Sequence, residues 1–129
     1  MDSLFRELPG LKVDVEKVIY APQLDAPPEK PFPFAYFIHI INDSKESVSI
    51  LARKWILTDI TGEVIVVEGA GVVGETPRLA PGNRFSYNSY HVVALDSEVT
   101  GAFFGVNEVG EGIRVRIPEF ALNCPSANE

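Results

Sequence analysis

Residues Gly69 to Gly74 read GAGVVG, a G-x-G-x-x-G spacing that follows the β-branched run Val64 to Val67 and precedes two arginines, Arg78 and Arg84. Glycines at such a spacing let backbone amides close on a phosphate, and arginines beside them add bidentate contacts to an anion. Gly69, Gly71, Gly74, Arg78 and Arg84, with Arg53 on the apolar segment upstream, are therefore the candidate anion- or ligand-binding residues. A dinucleotide site also needs a helix whose N-terminus takes the pyrophosphate. Thr76-Pro77 would open one, but Pro81 and Gly82 end it within a turn. Asp96 has no βαβ unit to present it, and the Lys-Ser/Thr ending of a P-loop is missing. The spacing thus predicts a strand-to-loop corner that uses glycine's tolerance of positive φ.

The remaining reactive side chains form no catalytic or metal-binding set. His39 lies within an apolar segment and is expected to be packed and hydrogen-bonded. His91 stands near Ser89 and Asp96, but a triad is defined by geometry, and no G-x-S-x-G elbow is present. No D-x-D-x-D-G or H-E-x-x-H pattern occurs, and the single cysteine, Cys124, can neither close an intramolecular disulfide nor anchor a metal set. No catalytic residue, metal or cofactor is expected, and the chain reads as a non-enzyme.

The sequence has 129 residues, one domain's worth, enough to bury roughly two thirds of the surface an unfolded chain exposes. Eleven basic and eighteen acidic residues leave a net charge of −7, which disfavours a nucleic-acid partner. The first ten residues lack the apolar core of a signal peptide, and no run is long enough to span a membrane. A cytoplasmic protein with no membrane association follows. Asn42-Asp43-Ser44 is a glycosylation sequon on paper only, since nothing directs secretion.

The elements that must carry these residues are strands. Met1 to Gly10 predicts one helical turn capped by Asp2 or Ser3, with Leu4, Phe5 and Leu8 on one side and Pro9-Gly10 as its stop. Alternation then dominates. LKVDVEKVIY breaks phase at Glu16-Lys17, which predicts a bulge. A proline-rich connection from Pro22 leads to FAYFIHIIND, apolar on both faces and so expected to be central and covered. SVSILARKWILTD slips phase near Leu51, beyond which Arg53, Trp55 and Leu57 share a side. Trp55 is the expected inter-sheet core aromatic, and Arg53 must snorkel, pair with an acid such as Asp59, or be twisted outward. EVIVVEG, NRFSYNSY, VTGAFFGV and GIRVRIPEF complete the set; in the last, Ile113, Val115 and Ile117 face inward and Arg114 and Arg116 face water. About seven strands at short spacing predict an all-β, seven-stranded antiparallel sandwich of immunoglobulin or fibronectin type III kind over residues 11–122, between a segment 1–10 and a tail 123–129.

The stretch from Ala52 to Ser89, ARKWILTDITGEVIVVEGAGVVGETPRLAPGNRFSYNS, resembles the ApaG family, in which an R-x-W-x-I/L-x-D strand leads to G-x-G-V-V-G-x-x-P-x-L-x-P-G. FAYFIHIIN and GIRVRIPEFAL are similar to the flanking strands, so the likeness runs from about Val13 to Leu122. Lys54 stands where many members have His, and YHVVALDSEVTGAFFG replaces a Cys-Pro-Leu stretch. The resemblance implies a fibronectin type III-like sandwich. It also implies a genetic link to cobalt resistance and magnesium efflux, and, from eukaryotic members in which the domain is an appended module, a role in protein recognition. The glycine motif has been read in the family as a possible pyrophosphate site. The leading expectation is a non-enzymatic module with a protein partner, a homodimer being one form of it, and with an exposed apolar patch among Phe103, Phe104 and Tyr90. The alternative is a pyrophosphate or nucleotide at Gly69 to Gly74, and a third reading is an indirect role in divalent-cation homeostasis.

Overall fold

The computed structural model describes residues 4–126. Its strands are β1 (Phe5–Glu7), β2 (Leu11–Tyr20), β3 (Phe32–Asn42), β4 (Val48–Asp59), β5 (Val64–Ala70), β6 (Arg78–Leu79), β7 (Arg84–Val93), β8 (Ser97–Asn107) and β9 (Gly112–Leu122). No described residue is α-helical. The larger sheet runs β1-β9-β8-β4-β5, with β6 paired to β4 off that path, and the smaller runs β2-β3-β7. Every pairing is antiparallel except β1 with β9. The all-β sandwich read from the sequence is the fold; its seven strands are β2 to β5 and β7 to β9. β1 and β6 are too short for periodicity to register.

Both phase breaks are bulges. The β2–β3 register shifts between Val15 and Lys17, and the β4–β8 register shifts between Ile50 and Ala52. The second one moves the buried positions of β4 from Val48 and Ile50 to Trp55 and Leu57, while Leu51 itself is left exposed. β3 is central in its sheet, with Phe34, Tyr36, Ile38 and Ile40 buried against the other sheet. Its opposite face, Ala35, Phe37, His39 and Ile41, is half-covered, less than the good cover expected of both faces.

The expected helical turn at the N-terminus is instead β1. Phe5 to Glu7 find parallel partners in Gly112 to Arg114, and the Phe5 ring meets Phe104 edge-on at 5.0 Å. A sheet ladder plus an aromatic contact outweighs a single turn of helix, whose nucleation is unfavourable on its own. Leu8 enters the core and Leu4 stays exposed; the proposed caps Asp2 and Ser3 lie outside the described residues.

Asn42 explains why the sequon is not an acceptor in the folded chain. The residue is fully buried, its Nδ2 donates to the carbonyls of Glu46 and Leu79 at 2.8 Å each, and its Oδ1 accepts from the Ser44 amide and hydroxyl. An amide with both protons committed inside the fold has none to offer a glycosyl donor.

Candidate functional site

Arg53 and the glycines form one structural unit. Arg53 and Gly69 are register partners on β4 and β5, and a Cβ on Gly69 would lie 3.2 Å from both terminal guanidinium nitrogens. The bare backbone there admits the guanidinium, whose Nη1 donates to the carbonyls of Ala70 at 2.8 Å and Gly71 at 3.0 Å. Gly71 has φ 70°, and a Cβ would stand 2.8 Å from the Glu75 carbonyl oxygen. Val72 and Glu75 exchange backbone hydrogen bonds around Val73 (φ 45°) and Gly74 (φ 81°), the paired positive φ of a type I′ turn. The fully buried Val72 side chain pins this small hairpin to the core. Each glycine thus meets a separate structural need. Gly69 makes room for Arg53, Gly71 permits the close approach to Glu75, and Gly74 takes a left-handed turn position.

The geometry of this corner separates the arginines. Arg53 satisfies carbonyls of the glycine segment and does not pair with Asp59, which instead accepts from the Thr61 and Glu63 amides and the Thr61 hydroxyl. The Thr61 hydroxyl, then the backbone donors, hold the Asp59 carboxyl below its ordinary range. Arg78 lies on β6 of the larger sheet with its Nη2 3.5 Å from Glu108, and Arg84 lies on β7 of the smaller sheet. The amides of Gly71, Val72 and Glu75 donate to the carbonyls of Leu51, Glu75 and Val72, at 2.7, 2.7 and 3.0 Å.

The histidines have structural surroundings. His39 bridges Ser86 Oγ at 2.6 Å and Glu16 Oε1 at 2.7 Å on the outer face of the smaller sheet. His91 is buried, stacked on Tyr36 with ring centroids 4.7 Å apart and edge-on to Trp55 at 4.8 Å. Burial pushes its pKa down to about 4, so the ring is neutral at pH 7. Asp96 accepts from the Cys124 amide at 2.7 Å, and Trp55, 1% exposed, is the expected core aromatic. Among the described residues no group of three or more His, Cys, Asp or Glu is placed to hold a metal ion.

An open groove lies on the outer face of the larger sheet. Two adjoining depressions of about 450 and 430 Å³ share Lys54 and Phe104. Across the strands, Lys54 stands opposite Glu68 on one side and Ala102 on the other, and Ala102 opposite Arg116. Ala52, Ile56, Ala102 and Phe104 give the face an apolar floor, and Lys54, Arg114 and Arg116, with Glu68 and Glu119 also in the lining, leave basic side chains in excess there in an acidic protein. The patch expected among Phe103, Phe104 and Tyr90 does not form. Phe103 is fully buried, and Tyr90 lies on the other sheet with its hydroxyl donating to the Asp25 carbonyl; only Phe104 reaches the groove. Alternation along Ile113 to Ile117 already turned the two arginines outward, but only the register puts them beside Lys54.

Residues 22–107 match the family model described as the ApaG domain. The chain belongs to the ApaG family. It is 41% identical to the protein ApaG of Acidithiobacillus ferrooxidans over 104 residues, covering 80% of this chain and 82% of that one. It is 38% identical to protein ApaG of Vibrio cholerae over 121 residues, covering 92% and 94%. The crystal structure of the putative ApaA protein from Bordetella pertussis superposes with a TM-score of 0.78 at 34% identity, covering 94% of this chain and 98% of that one. The ApaG-domain match contains the whole Arg53–glycine unit, while β9 and its arginines lie beyond it. No helix of the described residues is long and apolar enough to cross a membrane.

Proposed function

We propose that this ApaG-family chain is a non-enzymatic protein-recognition module of the cytoplasm, with the outer face of its larger sheet as the recognition surface. The observation that carries this reading is the groove around Lys54 and Phe104, which combines an apolar floor with cationic side chains on the outer face of the larger sheet. Apolar area flanked by polar residues is the usual composition of a protein-binding patch. A role in cobalt or magnesium homeostasis is indirect on this reading and runs through the partner.

A pyrophosphate or nucleotide on Gly69 to Gly74 has less support. Three amides of that corner are bonded within the protein, and the corner's own arginine is bonded to carbonyls.

Photo-cross-linking tests the recognition reading. With p-benzoylphenylalanine in place of Phe104, a discrete cross-linked protein is expected in native cells, and none with the same probe in place of Asp14 on the smaller sheet. Equal capture at both positions, or none at Phe104, overturns it.

A further inference from the structure

Among the described residues the smaller sheet ends at β2 and β7, and the larger at β5 on one side. On its other side the larger sheet ends at β1 and at the stretch of β9 that β1 leaves unpaired, which carries Arg116 and Pro118. The β5 edge is unlike the rest. β1 is three residues long. β2 carries Lys12, Lys17 and a bulge. β7 carries Arg84, Ser86 and Asn88, and its Tyr90 is tied to the proline-rich loop through Asp25. Short length, lysine, bulges and covering loops are the devices by which sheets block unwanted pairing. β5, VIVVEGA, spans seven residues without Pro, Lys or bulge, and Val64, Val66 and Val67 are 54%, 49% and 41% exposed. Glu29 and Lys30 of the proline-rich loop share a depression with Glu63 and Ile65 at its start.

The register says which backbone groups are open. Gly71 donates to Leu51 and Asp59 donates to Glu63, which fixes the bonded pairs of this ladder at the odd positions of β5. In an antiparallel ladder the intervening residues direct N–H and C=O away from the partner strand. Val64, Val66 and Glu68 therefore present their donors and acceptors outward, and their side chains share the outer face with Ile56 and Lys54. β6 pairs with β4 farther along, at Val48 and Ser49, and leaves this edge uncovered.

We propose that β5 is a strand-addition site that takes an extended segment of a partner protein, with aliphatic residues at alternate positions and a Lys or Arg at the next alternate position. The site deepens the recognition reading above and rests on it. The aliphatic residues extend the Val64 and Val66 row over Ile56. The cation falls opposite Glu68, whose other neighbour is Lys54, so charges alternate across the sheet. Charge also selects against a second copy of the chain: β5 and its approach carry Glu63 and Glu68 and no cation, and each copy has a net charge of −7. Main-chain bonds supply the affinity in this mode and alternate side chains the selectivity.

The test titrates the isotope-labelled full chain with the capped peptide Thr-Lys-Thr-Val-Thr-Val-Thr and with the same peptide carrying Glu for Lys. Saturable amide shifts confined to residues 63–70 and their β4 partners are expected, with affinity at least tenfold weaker for the Glu peptide. Val66→Pro, which removes an outward N–H, and Val66→Lys, which blunts the edge while keeping it, should each abolish the response without shifting the melting midpoint by more than a few degrees. No saturable shift at millimolar peptide, or equal response to both peptides, overturns the proposal. So does concentration-dependent self-association seen at the Val64 to Glu68 amides, which would make a second copy the occupant. If the probe at Phe104 captures a partner and Val66→Pro leaves that capture intact, the edge proposal fails while the recognition reading stands; loss of all capture in the otherwise wild-type chain fails the recognition reading itself.

Discussion

Trp55 and Lys54 are neighbours on β4 with opposite surroundings. Trp55 points between the sheets, 1% exposed, with Tyr36, His91, Phe103 and Phe120 around its ring at centroid distances of 4.9, 4.8, 6.4 and 6.0 Å. Lys54 points the other way, into the groove. A strand assigns successive side chains to opposite faces, so one segment can put stability on one side and recognition on the other. Changes to one face should therefore leave the other intact.

The largest expected effect on the inner face is Trp55→Ala. Loss of a fully buried indole should cost about 3–5 kcal/mol, read as a fall in the denaturant midpoint. An unchanged midpoint would mean that the ring does not hold the sheets together.

The next is a pH effect from the same cluster. The unfolded chain protonates His91 near pH 6.5, while in the folded chain burial delays this to about pH 4. The group's contribution is complete above pH 6.5 and is lost as pH falls from there towards 4, by roughly 3 kcal/mol at one unit per 1.36 kcal/mol. Its Nε2 and the Trp55 Nε1 have no hydrogen-bond partner in the protein, so His91→Phe keeps the ring stack and removes the titration. Stability measured from pH 7 to 4.5 should be flatter in the variant. A parallel fall in both proteins would refute the assignment. Glu111 and Asp59, held below their ordinary values chiefly by Asn107 and Thr61 respectively, lose their contributions at lower pH, in both proteins alike.

Gly71→Ala tests the corner that joins the two faces. A positive φ together with a 2.8 Å approach to the Glu75 carbonyl should cost about 1–3 kcal/mol, and Gly74→Ala less, because open space surrounds its Cβ position. Thermal melts distinguish them. Equal losses would remove the steric part of the argument. The amides of residues 69–78 should also show no saturable shift with millimolar pyrophosphate, with or without magnesium. A response that disappears on replacing Arg78 and Arg84 would restore the anion reading.

The smallest stability effect belongs to the outer face. Lys54 is half-buried opposite Glu68. Lys54→Gln, which keeps much of the stem and sets no second carboxylate against Glu68, should therefore change stability by less than about 1 kcal/mol, yet reduce cross-linking through position 104 several-fold. A destabilised variant with undiminished cross-linking would invert the comparison.

Much of this division was legible in the sequence. Alternation marked Trp55 and Ile113, Val115 and Ile117 as inward, and the two phase breaks announced the bulges at Glu16 and Leu51, because period-2 patterning is written residue by residue into the chain. β3, apolar on both faces, did not say that Phe34, Tyr36, Ile38 and Ile40 would be the buried face. The glycines were legible as a corner for a similar local reason: a proline and a glycine stop the helix that a nucleotide site requires. Partners distant in sequence were not legible. Nothing local says that Arg53 turns to the carbonyls of Ala70 and Gly71 in preference to Asp59, that Phe5 leaves a helical turn to meet Phe104, or that Lys54 stands in one row with Ala102 and Arg116. Those neighbours are fixed by register and strand order, which depend on how whole strands pair across the chain. The open edge at β5 has the same origin: its seven residues read as an ordinary strand, and only the tertiary structure decided that, among the described residues, no strand but β4 pairs with them.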